Sequence, residues 1–315
     1  MNGLADAALL AVVAVGSVFG AAALVRAGWP RRSPAAAILL WQALGLAAGL
    51  AAVGALICLG TPGGGPGLGH ILLRTGTPAQ AGAAFLLPAH IGSVPALVAA
   101  FRLTCVAAGL TLFASLCWVL VAASAAAVQA RRRQRALLSL LAHGDPKVPG
   151  ALVVDYPTAA AYCLPGLRSK IVVSVGTLEL LRPAELAAVL AHERAHLRER
   201  HDLVLLPFTA LRRAFPRSAT CAGAHRAVAL LVEMLADDRA LRARPARELA
   251  SALVRFGTAG ACAAPAGALA VGEGEVAARV VRLLQPVRPL PGPVVAGICL
   301  AAALLAAAPV TLLVL

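Results

Sequence analysis

Aromatic side chains make up only 4 % of this 315-residue chain although 60 % of it is hydrophobic, so much of the apolar content is alanine. Acidic residues are missing from most of its length: of 14, all but Asp6 fall between Asp145 and Glu275. Charge of either sign is absent from four long runs, Leu4 to Val25, Ala35 to Leu59, Leu103 to Val128 and Val294 to Leu315, apart from Asp6 in the first. Crossing a hydrocarbon core of about 30 Å takes roughly 20 helical residues, and a helix buried in a soluble protein normally keeps a polar stripe. These absences argue against an ordinary soluble domain and predict four transmembrane helices. The seven cysteines, at positions 58, 105, 117, 163, 221, 262 and 299, lack the close pairing of a zinc ribbon. Four lie within the expected spans, and all read as small apolar residues or free thiols in a reducing compartment.

Basic residues are plentiful, giving a net charge of +14. No basic strand is interleaved with aromatics and no docking helix is recognisable, so direct nucleic-acid binding is not expected. The arginines suit an anionic inner leaflet, which makes membrane lipid a partner. Arg26, Arg31 and Arg32 fill the first connection, and Arg131, Arg132, Arg133 and Arg135 follow the third span. Both places therefore read as cytoplasmic, with the N-terminus outside a bacterial plasma membrane. MNGLADAALL lacks a basic leader and its apolar run exceeds a signal-peptide core, so the first segment is expected to stay as a helix. The glycine-rich stretch from Gly60 to Ala96 becomes an external loop.

Residues 1–135 thus read as a three-helix membrane region, 136–290 as a cytosolic domain and 291–315 as the fourth membrane helix. The cytosolic domain opens with ARRRQRALLSLLAHGD, a juxtamembrane amphipathic helix ending between Gly144 and Pro149. ALVVDYP and KIVVSVG follow as short valine-rich strands. Next comes a helix through AELAAVLAHERAHLRER, with Pro183 at a first-turn position and Glu185 favouring the positive end of the dipole. Pro207 and Pro216 predict a broken or two-part helical hairpin in DLVLLPFTALRRAFP. A further helix is expected from about Ala222 to Ala243, and then a glycine-bearing tail leads to the last span.

The chemistry is concentrated in HERAH. Residues four apart share one helix face about 6 Å along the axis, so His192 and His196 can offer imidazole nitrogens to one ion. Glu193 lies too far round to ligate but is placed to take a proton from water at the metal. A catalytic zinc site needs a third protein ligand, and three residues compete for that role. His201 lies roughly 140° around from His196 and faces away unless the helix has ended. Asp202 has the spacing of a third ligand in HExxHxxGxxD enzymes, but Glu199 stands where those have the turning glycine; it reads better as a cap for the next helix. Glu233, in ALLVEMLA, would be costly to bury unless paired or bound to a cation. Glu233 is the preferred ligand, with Asp237 one turn later accepting the second N–H of a ligating histidine and fixing its tautomer.

Four spans, a domain before the last of them, AELAAVLAHERAHLRERHD and then EMLADDRA resemble membrane metallopeptidases of the BlaR/MecR type, with RVVRLL as weaker support. The ExxxD element is also similar to HtpX-like and CAAX-type membrane proteases. The resemblance implies a membrane protein, mainly α, whose four transmembrane helices carry a cytosolic α+β zincin domain of gluzincin type between the third and fourth. It implies one zinc ion held by His192, His196 and Glu233, with Glu193 as general base. With no penicillin-binding domain expected after the last span, the chain resembles the short, sensorless members. The implied activity is a zinc endopeptidase in signal transduction, and the implied protein substrate a BlaI-type winged-helix repressor. Quality control of the HtpX-like kind and a non-catalytic, zinc-containing membrane transducer are the alternatives. Extended substrate could add to the strand at Val153 to Asp155 or at Ile171 to Ser174. Tyr156, Tyr162 and His225 are possible oxyanion partners, each better read as structural.

Overall fold

The computed structural model describes residues 3–61, 94–145, 148–166, 169–259, 273–285 and 287–314. Most of the expected external loop, Cys262 and the start of the glycine-bearing tail lie outside the described residues. The four apolar runs fall in the helices α1 (Gly3–Arg26), α2 (Pro34–Gly60), α3 (Val94–Leu141) and α10 (Gly292–Val314). These helices expose large apolar side chains, among them Phe19 at 71 % and Trp118 at 72 %. Water would penalise so much exposed apolar surface, whereas a bilayer accepts it.

Contacts divide the chain into two units. The first comprises Met1–Ala27, Ala36–Val119 and Pro291–Leu315. Within it Leu10, Ala51 and Ala55 pack with Leu312 and Leu313. Small residues let such helices approach closely: a Cβ on Gly54 would lie 3.0 Å from the Leu313 side chain. Helix α3 differs from the expected span and separate amphipathic helix, because it runs unbroken for 48 residues. Nothing in AAAVQARRRQRALLSLL stops it, since alanine, arginine, glutamine and leucine are all strong helix formers.

The second unit comprises Gly28–Ala35 and Leu120–Leu290. It holds a four-stranded sheet of β1 (Ala142–Gly144), β2 (Ala151–Val154), β3 (Ala161–Leu164) and β4 (Lys170–Ser174), in the order β1-β2-β4-β3. β2 and β4 are parallel and the outer pairings antiparallel. The two expected strands are therefore the interior ones, and neither offers the free edge assigned to it for substrate. The edges are β1 and β3, both too short to stand out from the flanking turns by alternation alone.

Helices α4 (Val175–Leu180), α5 (Pro183–Glu199), α6 (His201–Ala214), α7 (Ala219–Ala240), α8 (Ala246–Thr258) and α9 (Glu273–Leu284) complete the unit. α6 is one helix with Pro207 inside it, where a broken hairpin was expected. Proline there gives up the bond to the carbonyl four residues back and crowds it; that carbonyl belongs to Leu203, a residue about half exposed near the helix start. By length and composition α7 is a fifth candidate span. Yet it carries Glu233, Asp237 and Asp238 and packs against α5 and α6 within the second unit.

α5 is gripped on two sides. Leu190, with Leu186 and Leu197 beside it, meets Val148, Val153, Ile171 and Val173 of the sheet region. Ala188 meets Ala240, Leu249, Ala250 and Leu283 from α7, α8 and α9. Each fully buried valine or leucine contributes about 1.5–3 kcal/mol, so the helix bearing HERAH is rigidly seated. Its first turn is fixed by Glu185, which accepts from Arg182 N at 2.9 Å, Arg182 Nη2 at 2.6 Å and Ser251 Oγ at 2.6 Å. The Ser251 bond also ties α8 to α5.

Strand β3 is placed by the turn before it. Ser174 Oγ accepts from Thr177 N at 3.2 Å and Ala160 N at 2.9 Å, and donates to the Thr158 carbonyl at 2.8 Å. Gly176 permits this closure, because a Cβ there would sit 2.0 Å from the Pro157 carbonyl oxygen.

Candidate metal centre

α5 and α7 bring three donor side chains to one point. His192 Nε2 lies 3.0 Å from His196 Nε2 and 3.3 Å from Glu233 Oε2, and His196 Nε2 lies 3.5 Å from Glu233 Oε1. Their ligand atoms all fall within 4.8 Å of one another. Donors at zinc's usual 2.0–2.1 Å in a tetrahedron stand about 3.3 Å apart. The observed separations bracket that value, and two imidazoles with one carboxylate form a donor set that zinc takes in hydrolases, so the residues fit the ion.

The remaining predicted residues fall at defined places. Glu193 is half-buried beside this cluster. Asp237 is 1 % exposed, and its Oδ1 lies 2.9 Å from His192 Nδ1. The contact is short but off the N–H direction, so that nitrogen makes no well-aligned hydrogen bond. Asp202 stands apart: it is in the first turn of α6, where its Oδ2 pairs with Arg131 Nη2 at 2.9 Å. It does not cap α6 either, since Arg200 occupies the cap. Tyr162 packs beside Leu138, Leu164 and Val172, while Tyr156 is exposed.

Three contributions escaped the motif. Arg279 of α9, only 4 % exposed, donates through Nε and Nη2 to Asp237 at 2.8 and 2.7 Å and pairs through Nη1 with Glu233 Oε2 at 2.9 Å. Its available signal was an arginine four residues before Leu283, on the buried face of a short amphipathic helix. Cys163 of β3 is half-buried near Glu193, and burial together with the Glu193 charge raises its thiol. His201, 2 % exposed, returns against His196 because the helix does end at Arg200.

Burial and charge set the protonation pattern of the metal-free site. Burial opposes the charged form of His192, but the adjacent Asp237 and Glu233 carboxylates outweigh it and push the imidazole up to about 10. Burial lowers His196 to about 3, against the opposing charge of Glu233 and with the charge of His192 assisting. Burial raises Glu193 to about 7, with Glu233 adding to the effect and His192 opposing it. Burial would also raise Glu233 and Asp237, yet the Arg279 guanidinium holds both well below the usual carboxylate range. The metal-free centre is thus a cationic His192, a neutral His196, two anions held by Arg279 and a Glu193 carboxyl able to exchange a proton near neutrality.

Comparison with known families shows that residues 105–247 match the model of Peptidase family M48. The matched stretch contains both ligand-bearing helices and stops short of α9 and Arg279. With the apolar helices, it supports a membrane-type zinc metallopeptidase and does not single out the BlaR/MecR type. Comparison with the curated proteins and with the solved structures finds no match.

Proposed function

We propose that this chain is an integral-membrane, zinc-dependent endopeptidase whose ion is held by His192, His196 and Glu233 and whose general base is Glu193. The observation that carries this reading is the convergence of His192 Nε2, His196 Nε2 and the Glu233 carboxylate at tetrahedral spacing, beside a carboxylate that none of them uses. Bound zinc supplies Lewis acidity towards a water molecule and a scissile carbonyl. Glu193 takes the proton of the attacking water and delivers it to the leaving amine nitrogen. Asp237 and Arg279 keep His192 and Glu233 in place during both transfers. The free edge of β3 supports an extended substrate lying along Ala161 to Leu164, where Cys163 borders Glu193.

The domain faces the cytosol and the N-terminus lies outside, a topology supported by the arginines after α1 and α3. The substrate is a cytosolic regulator such as a winged-helix repressor of BlaI type; the support is the resemblance of HERAH and EMLADDRA to BlaR/MecR transducers. Glu193→Gln should retain zinc and lose about 10²–10⁴-fold in hydrolysis. Comparing the proteomes of cells carrying the wild type and this variant tests the whole reading. A repressor fragment made only by the wild type supports it. A broad set of damaged membrane proteins transfers the role to quality control, and no difference at all leaves a non-catalytic transducer.

A further inference from the structure

His201 belongs to no part of the HExxH motif, yet it is 2 % exposed and meets a ligand imidazole directly. Its Nδ1 lies 2.9 Å from His196 Nδ1, with the rings near perpendicular at 88° and 4.8 Å apart. A continuing helix would carry His201 roughly 140° away from His196. Arg200 prevents this by adopting φ 52 and ψ 44, and it is the one non-glycine residue with positive φ among the described residues. That conformation is unfavourable for a residue with a Cβ, so the surrounding packing must hold it. The break turns α6 back so that His201 lies against His196.

We propose that His201 is a positioning residue that locks His196 as a donor through Nε2, at the end of an ordered chain Arg239–Glu199–His201–His196. The inference rests on the metal-centre reading above and extends it to residues outside the motif. Proton placement follows from one condition. A neutral His196 that offers Nε2 to a metal must carry its hydrogen on Nδ1, and that hydrogen points to His201 Nδ1. His201 Nδ1 then accepts, so its own hydrogen sits on Nε2 and is donated to Glu199 Oε2 at 3.3 Å. Glu199 is held in turn by Arg239 Nε from α7. Metal-ligating histidines generally donate their second N–H to a carboxylate, carbonyl or water, which fixes ring and tautomer. Here a neutral imidazole does this for His196, and the chain closes back on the helix that supplies Glu233.

The test uses the full chain in detergent, with zinc affinity measured by chelator competition. His201→Ala and the similarly sized His201→Leu should bind zinc about 10–100-fold more weakly. His201→Asn, whose side-chain oxygen can accept from His196, should recover most of the loss. In the wild type, magnetic resonance of nitrogen-labelled histidines should show zinc-loaded His201 protonated on Nε2 and bare on Nδ1. Wild-type affinity in both the alanine and leucine variants, or an Nδ1-protonated His201, overturns the proposal. The resonance measurement decides the matter even if the variants fail to fold. His196→Ala separates the two levels: if it keeps wild-type affinity the metal centre itself is wrong, and if it loses zinc while the His201 variants do not, only the positioning role falls.

Discussion

The two histidines of the centre sit one helical turn apart and are held in opposite ways. His192 faces a charged assembly in which Asp237 and Glu233 share the buried guanidinium of Arg279. His196 faces the neutral ring of His201. On the first side burial taxes three charges and their mutual attraction must offset it; on the second, neutrality avoids that cost but leaves orientation to hydrogen-bond direction alone. The charged side should therefore govern stability and depend on occupancy, while the neutral side should govern geometry.

The largest expected effect comes from breaking the charged side. Arg279→Ala leaves two buried carboxylates without their partner, a change that typically destabilises by about 3–5 kcal/mol. Zinc would restore positive charge beside Glu233, so thermal melts with and without zinc should differ far more in the variant than in the wild type. Equal melting shifts in the two proteins would show that Arg279 is not the counter-ion it resembles.

A milder break is Asp237→Asn. The amide keeps an oxygen near His192 Nδ1 but gives up the charge that holds Arg279. Zinc affinity should fall by about 10–100-fold, as measured by chelator competition. If it does not, His192 needs no anionic support and the two sides are not distinct.

The smallest effect lies at the start of α5, upstream of both histidines. The Arg182 side chain, against an opposing contribution from burial, holds the Glu185 carboxyl down at about 2, with Ser251 assisting. An acid whose folded pKa is depressed stabilises the fold fully above its unfolded pKa of about 4.3. That contribution is lost as pH falls through about 2. Unfolding midpoints of zinc-free wild type should therefore decline between those values, and Glu185→Gln should be lower above pH 5 and flatter across the window. Parallel pH profiles would remove Glu185 from the account.

The ease with which each part could be read from sequence follows the same division. The apolar helices announce themselves because charge is excluded along their whole length. HERAH is legible because both candidate ligands and the proposed base lie within five residues on one helix. Glu233 and Asp237 were recoverable as acids in an apolar stretch. His201 was not, because five-residue spacing argues against contact unless a left-handed residue intervenes, and arginine is an improbable type for that conformation. Arg279 lies 42 residues beyond Asp237 on another helix, so only tertiary packing reveals its partner. Strand β3 was lost for a related reason: AYCL is held by the Ser174 and Gly176 turn chemistry more than by its own pattern.

The central claim is that two imidazoles and one carboxylate, all from α5 and α7, hold a single zinc ion. Zinc-edge X-ray absorption on the purified full chain tests it most directly. The account predicts one equivalent of zinc with nitrogen and oxygen neighbours at about 2.0–2.2 Å, two of them imidazoles, and no sulfur. A sulfur neighbour at about 2.3 Å would place Cys163 or another thiol on the metal, and a chain that binds no zinc would remove the centre altogether.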